Sequence, residues 1–179
     1  KALAGEVYQM GQDQHWQDAM PKAKALVLAY PAHAGAHYLL GKAYLHRAEP
    51  QINQAAGEFQ TALAIFARTK SLDSVTWTDK ADEFELGIHR DLALVDFRWI
   101  REAMRFNLPP ADIRNKLLAA KAEVEAGLKL DPKDSFLNEM RATIEEYLSG
   151  PFKEGATPAQ PPTAPSIPQT APATSSAHA

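Results

Sequence analysis

Apolar residues recur along this chain every three to four positions, which is the period of one helix face. None of its segments alternates apolar and polar with period two, so an all-α chain is expected. Helices are expected over roughly 1–10 and 15–29, closed by Pro31, and then over 35–48 and 52–68. Pro50 falls in the turn of that second pair, where its missing N–H costs nothing. Ser71 to Thr78 reads as a connector, and Thr78 or Asp79 can cap the helix after it. That helix runs from Lys80 to Phe106 and carries two apolar stripes. Phe84, Ile88, Leu92, Val95, Trp99 and Ala103 form one; Leu94, Phe97, Ile100 and Met104 form the other. Two stripes imply a helix covered on two sides. Pro109 and Pro110 break it and open the next, whose buried face is Ile113, Leu117, Ala120, Val124 and Leu128. Asp131-Pro132 ends that one. Asp134 or Ser135 caps a last helix with Leu137, Met140, Ile144 and Tyr147 inward, closed by Gly150-Pro151.

The pattern repeats. Gly5 and Gly41, Tyr8 and Tyr44, and Ala19 and Ala55 each stand 36 positions apart, and Trp16 falls on Ile52. Each unit therefore reads as a small residue with an aromatic three later, then a large apolar residue with alanine three later. A small residue lets two helices approach closely, which is the requirement of stacked helix hairpins. Leu40-Gly41 with Tyr44, then Ala55, Phe59 and Ala62, then Pro31 closing the preceding unit, resemble the tetratricopeptide repeat family. Ala120, Val124, Gly127 and Pro132 give a further match, so the resemblance spans most of 1–149. The units depart from the family in length. The first two are two residues longer, and 33 residues separate Gly87 from Ala120. His37 stands where the family has a bulky apolar residue, and no proline closes the second unit near Arg68. The resemblance implies a short right-handed α-solenoid of about three hairpins and a capping helix over 1–149, followed by a tail over 150–179.

It also implies a concave groove built from the first helix of each hairpin. Measured from Gly41, that face carries Tyr38, Lys42, Leu45 and His46; measured from Gly87, it carries Phe84 and Asp91. Tyr38 and Lys42 are expected to face solvent and to touch an extended peptide or a helix. They stand where carboxylate-clamping members of the family have Lys and Asn, so that clamp is not expected. The implied function is non-catalytic: a scaffold or adaptor binding a protein or peptide partner. The alternative is self-association, or a structural role in an envelope or extracellular assembly.

Composition narrows the rest. There is no cysteine, which excludes disulfides and thiolate chemistry. The formal net charge of −3 argues against a nucleic-acid partner, because such binding rests on a basic surface. No run of apolar residues is long enough to span a membrane. Seven of the 13 prolines lie in 151–179 with many Ala, Thr and Ser, which reads as an extended spacer. That tail, with a start at Lys1 rather than Met, suggests a removed upstream segment and a periplasmic or other extracytoplasmic setting. The cytoplasm is the other possibility.

Other chemistry is not expected. His33 and His37 are spaced as two metal ligands on a helix, but without a third, and they read as turn and helix-start residues. His89-Arg90-Asp91 matches a kinase catalytic-loop string by chance, because no glycine-rich loop or strand lysine accompanies it. Glu123 with Glu125, and Glu145 with Glu146, point in different directions on their helices. No cofactor or metal site and no enzyme activity is expected. Trp77, in the connector, is the one tryptophan expected to be exposed or to make a contact.

Overall fold

A computed structural model describes residues 2–73 and 75–153; the expected spacer beyond them lies outside the described residues. Seven helices are present and, among the described residues, no strand: α1 (Ala2–Gln12), α2 (Trp16–Ala29), α3 (Ala34–His46), α4 (Ile52–Thr69), α5 (Ala81–Arg105), α6 (Pro110–Leu130) and α7 (Ser135–Ser149). The expected helices all form. Pro110 takes the first position of α6, where it has no N–H to waste. Asp134 caps α7 by accepting the Leu137 N–H at 2.9 Å. Thr78 does accept a backbone N–H, but that of Lys80, and its hydroxyl donates to Glu83. The N-cap of α5 is Lys80, which makes no side-chain cap.

Each helix packs on the next in the chain. The odd-numbered helices also touch in succession, α1 on α3, α3 on α5 and α5 on α7, whereas no two even-numbered helices touch. Small residues set the closest approaches. A Cβ placed on Gly41 would stand 2.6 Å from the Phe59 ring, so α3 and α4 meet there with no room for a methyl. Gly127 of α6 does the same against Leu137 of α7, at 2.4 Å. Ala55, Phe59, Ala62, Ala120 and Val124 are fully buried.

The buried side chains form two cores on opposite faces of α3. One holds Val7, Trp16, Ala23 and Leu26 of α1 and α2 against Ala36, Leu39, Leu40 and Ala43; the larger holds α4 to α7 with Ala34 and Leu45. Within the larger core α5 is covered on nearly every side, and both of its apolar stripes are buried except at the half-buried Trp99. Its two buried carboxylates are therefore paired. Asp91 takes Lys42 of α3 at 3.1 Å, and Asp96 takes Lys116 of α6 at 2.5 Å.

The core also runs past the expected limit at 149. Phe152 is buried and stacks on Tyr147 with ring centroids 6.0 Å apart. Its N–H donates to the Tyr147 carbonyl at 3.0 Å, and its own carbonyl accepts from Arg114 at 2.7 Å. Gly150 does end α7, but the chain then folds back far enough to bury one more aromatic side chain.

Candidate functional site

The residues expected to line the groove do meet along α3 and α5, but most are engaged by the protein itself. Leu45 and Phe84 are core residues, at 0% and 2% exposure. Tyr38 does not stand free in solvent. Its ring lies 5.5 Å from Phe84, 5.7 Å from Phe59 and 5.8 Å from Trp77, centroid to centroid. Burial, and then the neighbouring Asp91 carboxylate, push its hydroxyl well above the usual phenol range. Lys42 is half-buried and spends its charge on Asp91. The expected solvent-facing pair of Tyr38 and Lys42 is thus corrected: a buried carboxylate claims the lysine and a connector claims the tyrosine.

That connector, residues 70–80, supplies Trp77. Its indole stacks on Tyr8 of α1 at 5.0 Å with planes 6° apart, and on Tyr38 of α3 at 5.8 Å with planes 25° apart. Trp77 is half-buried, and the ring contacts it makes are with the protein's own Tyr8, Tyr38 and Phe84. It fills one end of the face made by α1, α3 and α5. Thr76 lies beside it, 3.7 Å from where a Cβ on Gly5 would sit.

The other end of that face mixes charges: Arg98 and Arg101 stand there with Glu49 and Glu102. His46 stacks on Trp16 at 5.5 Å, and burial with the nearby Lys42 lowers its pKa to about 4. It is therefore neutral at physiological pH. Its Nε2 and the Arg47 Nε are buried without a hydrogen-bond partner. Arg98 of α5 donates to the Leu45 carbonyl at 2.7 Å, tying the C-terminal end of α3 to α5. Burial and the neighbouring Arg101 lower the Arg98 pKa. Arg98 and Arg101, with Glu49, Pro50, Ile52 and Glu102, line an open hollow of about 530 Å³ against the α3–α4 turn. Arg98 and Arg101 were not singled out from the sequence. Their positions on α5 relative to Asp91 could have shown them, had the length of that helix been used to carry the face upward.

The histidines set aside as metal ligands have other work. His33 lies in the turn before α3 and meets Tyr30 edge to face. His37 Nδ1 lies 2.7 Å from Glu58, and its Nε2 donates to the Pro31 carbonyl at 2.9 Å. Both ring nitrogens face acceptors, which only the imidazolium satisfies, and the Glu58 bond raises the His37 pKa. His89 makes the corresponding contact from α5 to Glu123 of α6, at 2.8 Å. Arg90 pairs with Asp134. The His89-Arg90-Asp91 string is therefore a set of three clamps between helices. Among the described residues no group of three or more His, Cys, Asp or Glu side chains is placed to hold a metal ion. No described helix is long and apolar enough to cross a membrane. Comparison with protein-family models, with curated proteins and with solved structures finds no match for this chain.

Proposed function

We propose that the chain is a short solenoid of tetratricopeptide-like hairpins that works as a non-catalytic scaffold for a protein partner. The observation that supports this reading is the succession of contacts α1 on α3, α3 on α5 and α5 on α7, as stacked hairpins with their first helices along one face would make. Gly41, Phe59, Ala55 and Ala62 pack where such hairpins need small and large residues, which supports the repeat. The partner engages the end of that face where Arg98 and Arg101 stand beside the neutral His46, because Trp77 already fills the aromatic part. Lys42 and Tyr38 act from below as the packed support of this surface.

Affinity capture from the source organism, followed by titration of the captured partner, tests the proposal. Arg101 is exposed, so Arg101→Glu changes the charge of the face without opening the core. It is expected to weaken binding about tenfold at low salt and less at high salt, since exposed charges are screened. Unchanged affinity in Arg101→Glu and in His46→Gln would remove this face as the binding surface.

A further inference from the structure

α4 and α6 both pack on α5 without touching each other. Near their N-terminal ends lies an open cleft of about 450 Å³, lined by Asn53 of α4, Trp99 of α5, and Asp112, Asn115 and Lys116 of α6. It adjoins the hollow of Arg98 and Arg101, since Trp99 follows Arg98 on α5 and Asn53 follows Ile52 on α4. None of its lining residues belongs to the surface assigned to the protein partner. We infer that this cleft binds an uncharged carbohydrate, stacking one sugar ring on the Trp99 indole and holding its hydroxyls with Asn53, Asp112, Asn115 and Lys116.

Three features carry the assignment. The first is the indole. The apolar stripe of α5 is buried at Phe84, Ile88, Leu92, Val95 and Ala103, and it comes to the surface at Trp99. Trp16 and Trp77 stack on other rings of the protein, whereas among the described residues no ring and no cation lies against Trp99. The negative face of an indole attracts the weakly positive C–H hydrogens on the flat side of a sugar ring. The second is hydrogen-bonding capacity. Asn53, Asp112 and Asn115 are exposed, and among the described residues their side chains make no hydrogen bond or ion pair. The two amides donate and accept, the Asp112 carboxylate accepts, and the Lys116 ammonium keeps donors beyond the one it gives Asp96. A hydroxyl also donates and accepts, so neighbouring hydroxyls on one ring match this mixed set. A peptide backbone offers one donor and one acceptor per residue, strung along a chain rather than gathered round one indole. An apolar ligand would strip water from these side chains and return no hydrogen bond. The third is charge. Lys116 is paired with Asp96 and stands one turn from Asp112 on the same helix face, so neither an anion nor a cation gains a net attraction. The volume falls within that of small-ligand sites, roughly 300–1,000 Å³.

Nuclear magnetic resonance of the full chain, with its tryptophans isotope-labelled, tests this. Glucose, galactose, mannose and N-acetylglucosamine, and the disaccharides cellobiose, maltose and chitobiose, are titrated separately into the millimolar range. At least one is expected to move the Trp99 indole N–H resonance to saturation while those of Trp16 and Trp77 stay in place. The Trp99 resonance is assigned by its loss in Trp99→Phe. Asn53 and Asn115 are exposed, so Asn53→Ala and Asn115→Ala leave the core intact, and each should weaken the binding about three- to tenfold. A neutral acetylated dipeptide amide and choline serve as competing probes. A Trp99 resonance that no sugar moves, a saturable shift that both asparagine variants retain unchanged, or tighter binding of the dipeptide or of choline than of every sugar would each overturn the assignment.

Discussion

Replacing Gly41 with alanine adds one methyl where α3 and α4 are closest. The new Cβ would stand 2.6 Å from Phe59 Cε1 and 2.7 Å from Cδ1. Ordinary carbon contacts lie about 1 Å further out. Phe59 has no easy retreat, because it is fully buried and its ring packs against Tyr38. The helices must part or the ring must leave its rotamer, at a cost of about 1–3 kcal/mol. Alanine returns about 1 kcal/mol through its higher helix propensity. The net loss is therefore smaller than the clash alone, and a reference is needed. Gly57 on α4 provides it: it is exposed, and nothing lies within 4 Å of a Cβ placed there. Gly57→Ala should gain most of the propensity term. In urea denaturation Gly41→Ala should fall below wild type while Gly57→Ala rises above it, a gap of roughly 1–3 kcal/mol between the two. Phe59→Leu should cost less in the Gly41→Ala background than alone, because the smaller side chain relieves the clash. Equal stability of the two alanine variants would refute the close approach and the hairpin register built on it.

The histidines give opposite pH dependences. His46 is held neutral to about pH 4, while an unfolded histidine takes up a proton near 6.5, so stability should fall as pH drops from about 6.5 to 4. A shift of that size is worth about 3 kcal/mol, and thermal melts of His46→Gln should lose that acid sensitivity. His37 has a raised pKa in the folded state, so its contribution is complete below about 6.5 and is lost as pH rises through the folded value. Glu58→Gln should flatten that limb of the stability profile. Lys42→Met strands the buried Asp91 carboxylate and should cost about 3–5 kcal/mol, much of which Asp91→Leu should restore in the double variant. Ending the chain at Gly150 removes Phe152 and its bond from Arg114, and should cost about 2–3 kcal/mol in a denaturant titration.

Much of the local architecture was legible in the residues themselves. Helical periodicity placed all seven helices, Pro110 marked the start of α6, and Asp134 announced its cap. The repeat of Gly5 at Gly41 pointed to the tight α3–α4 contact, although Gly5 itself has space around it. The site was less legible, because tertiary contacts between distant segments decide it. Helical spacing put Tyr38 and Lys42 on one face but could not show that the connector would lay Trp77 across Tyr38. Asp91 and Asp96 interrupt the apolar pattern of α5, and that was the available sign of buried ion pairs to α3 and α6. Gly150-Pro151 signalled the end of α7 correctly, yet a helix stop says nothing of whether the next aromatic residue returns to the core.

The proposed partner binds the face made by α1, α3, α5 and α7. Hydrogen–deuterium exchange of the full chain, free and with its captured partner, tests it most directly. Added protection is expected at the C-terminal end of α3, around His46 and Arg47, and along α5 from Arg98 to Arg105, with α2 and the outer face of α4 unchanged. Protection confined to the even-numbered helices, with those two stretches exchanging as in the free chain, would contradict it.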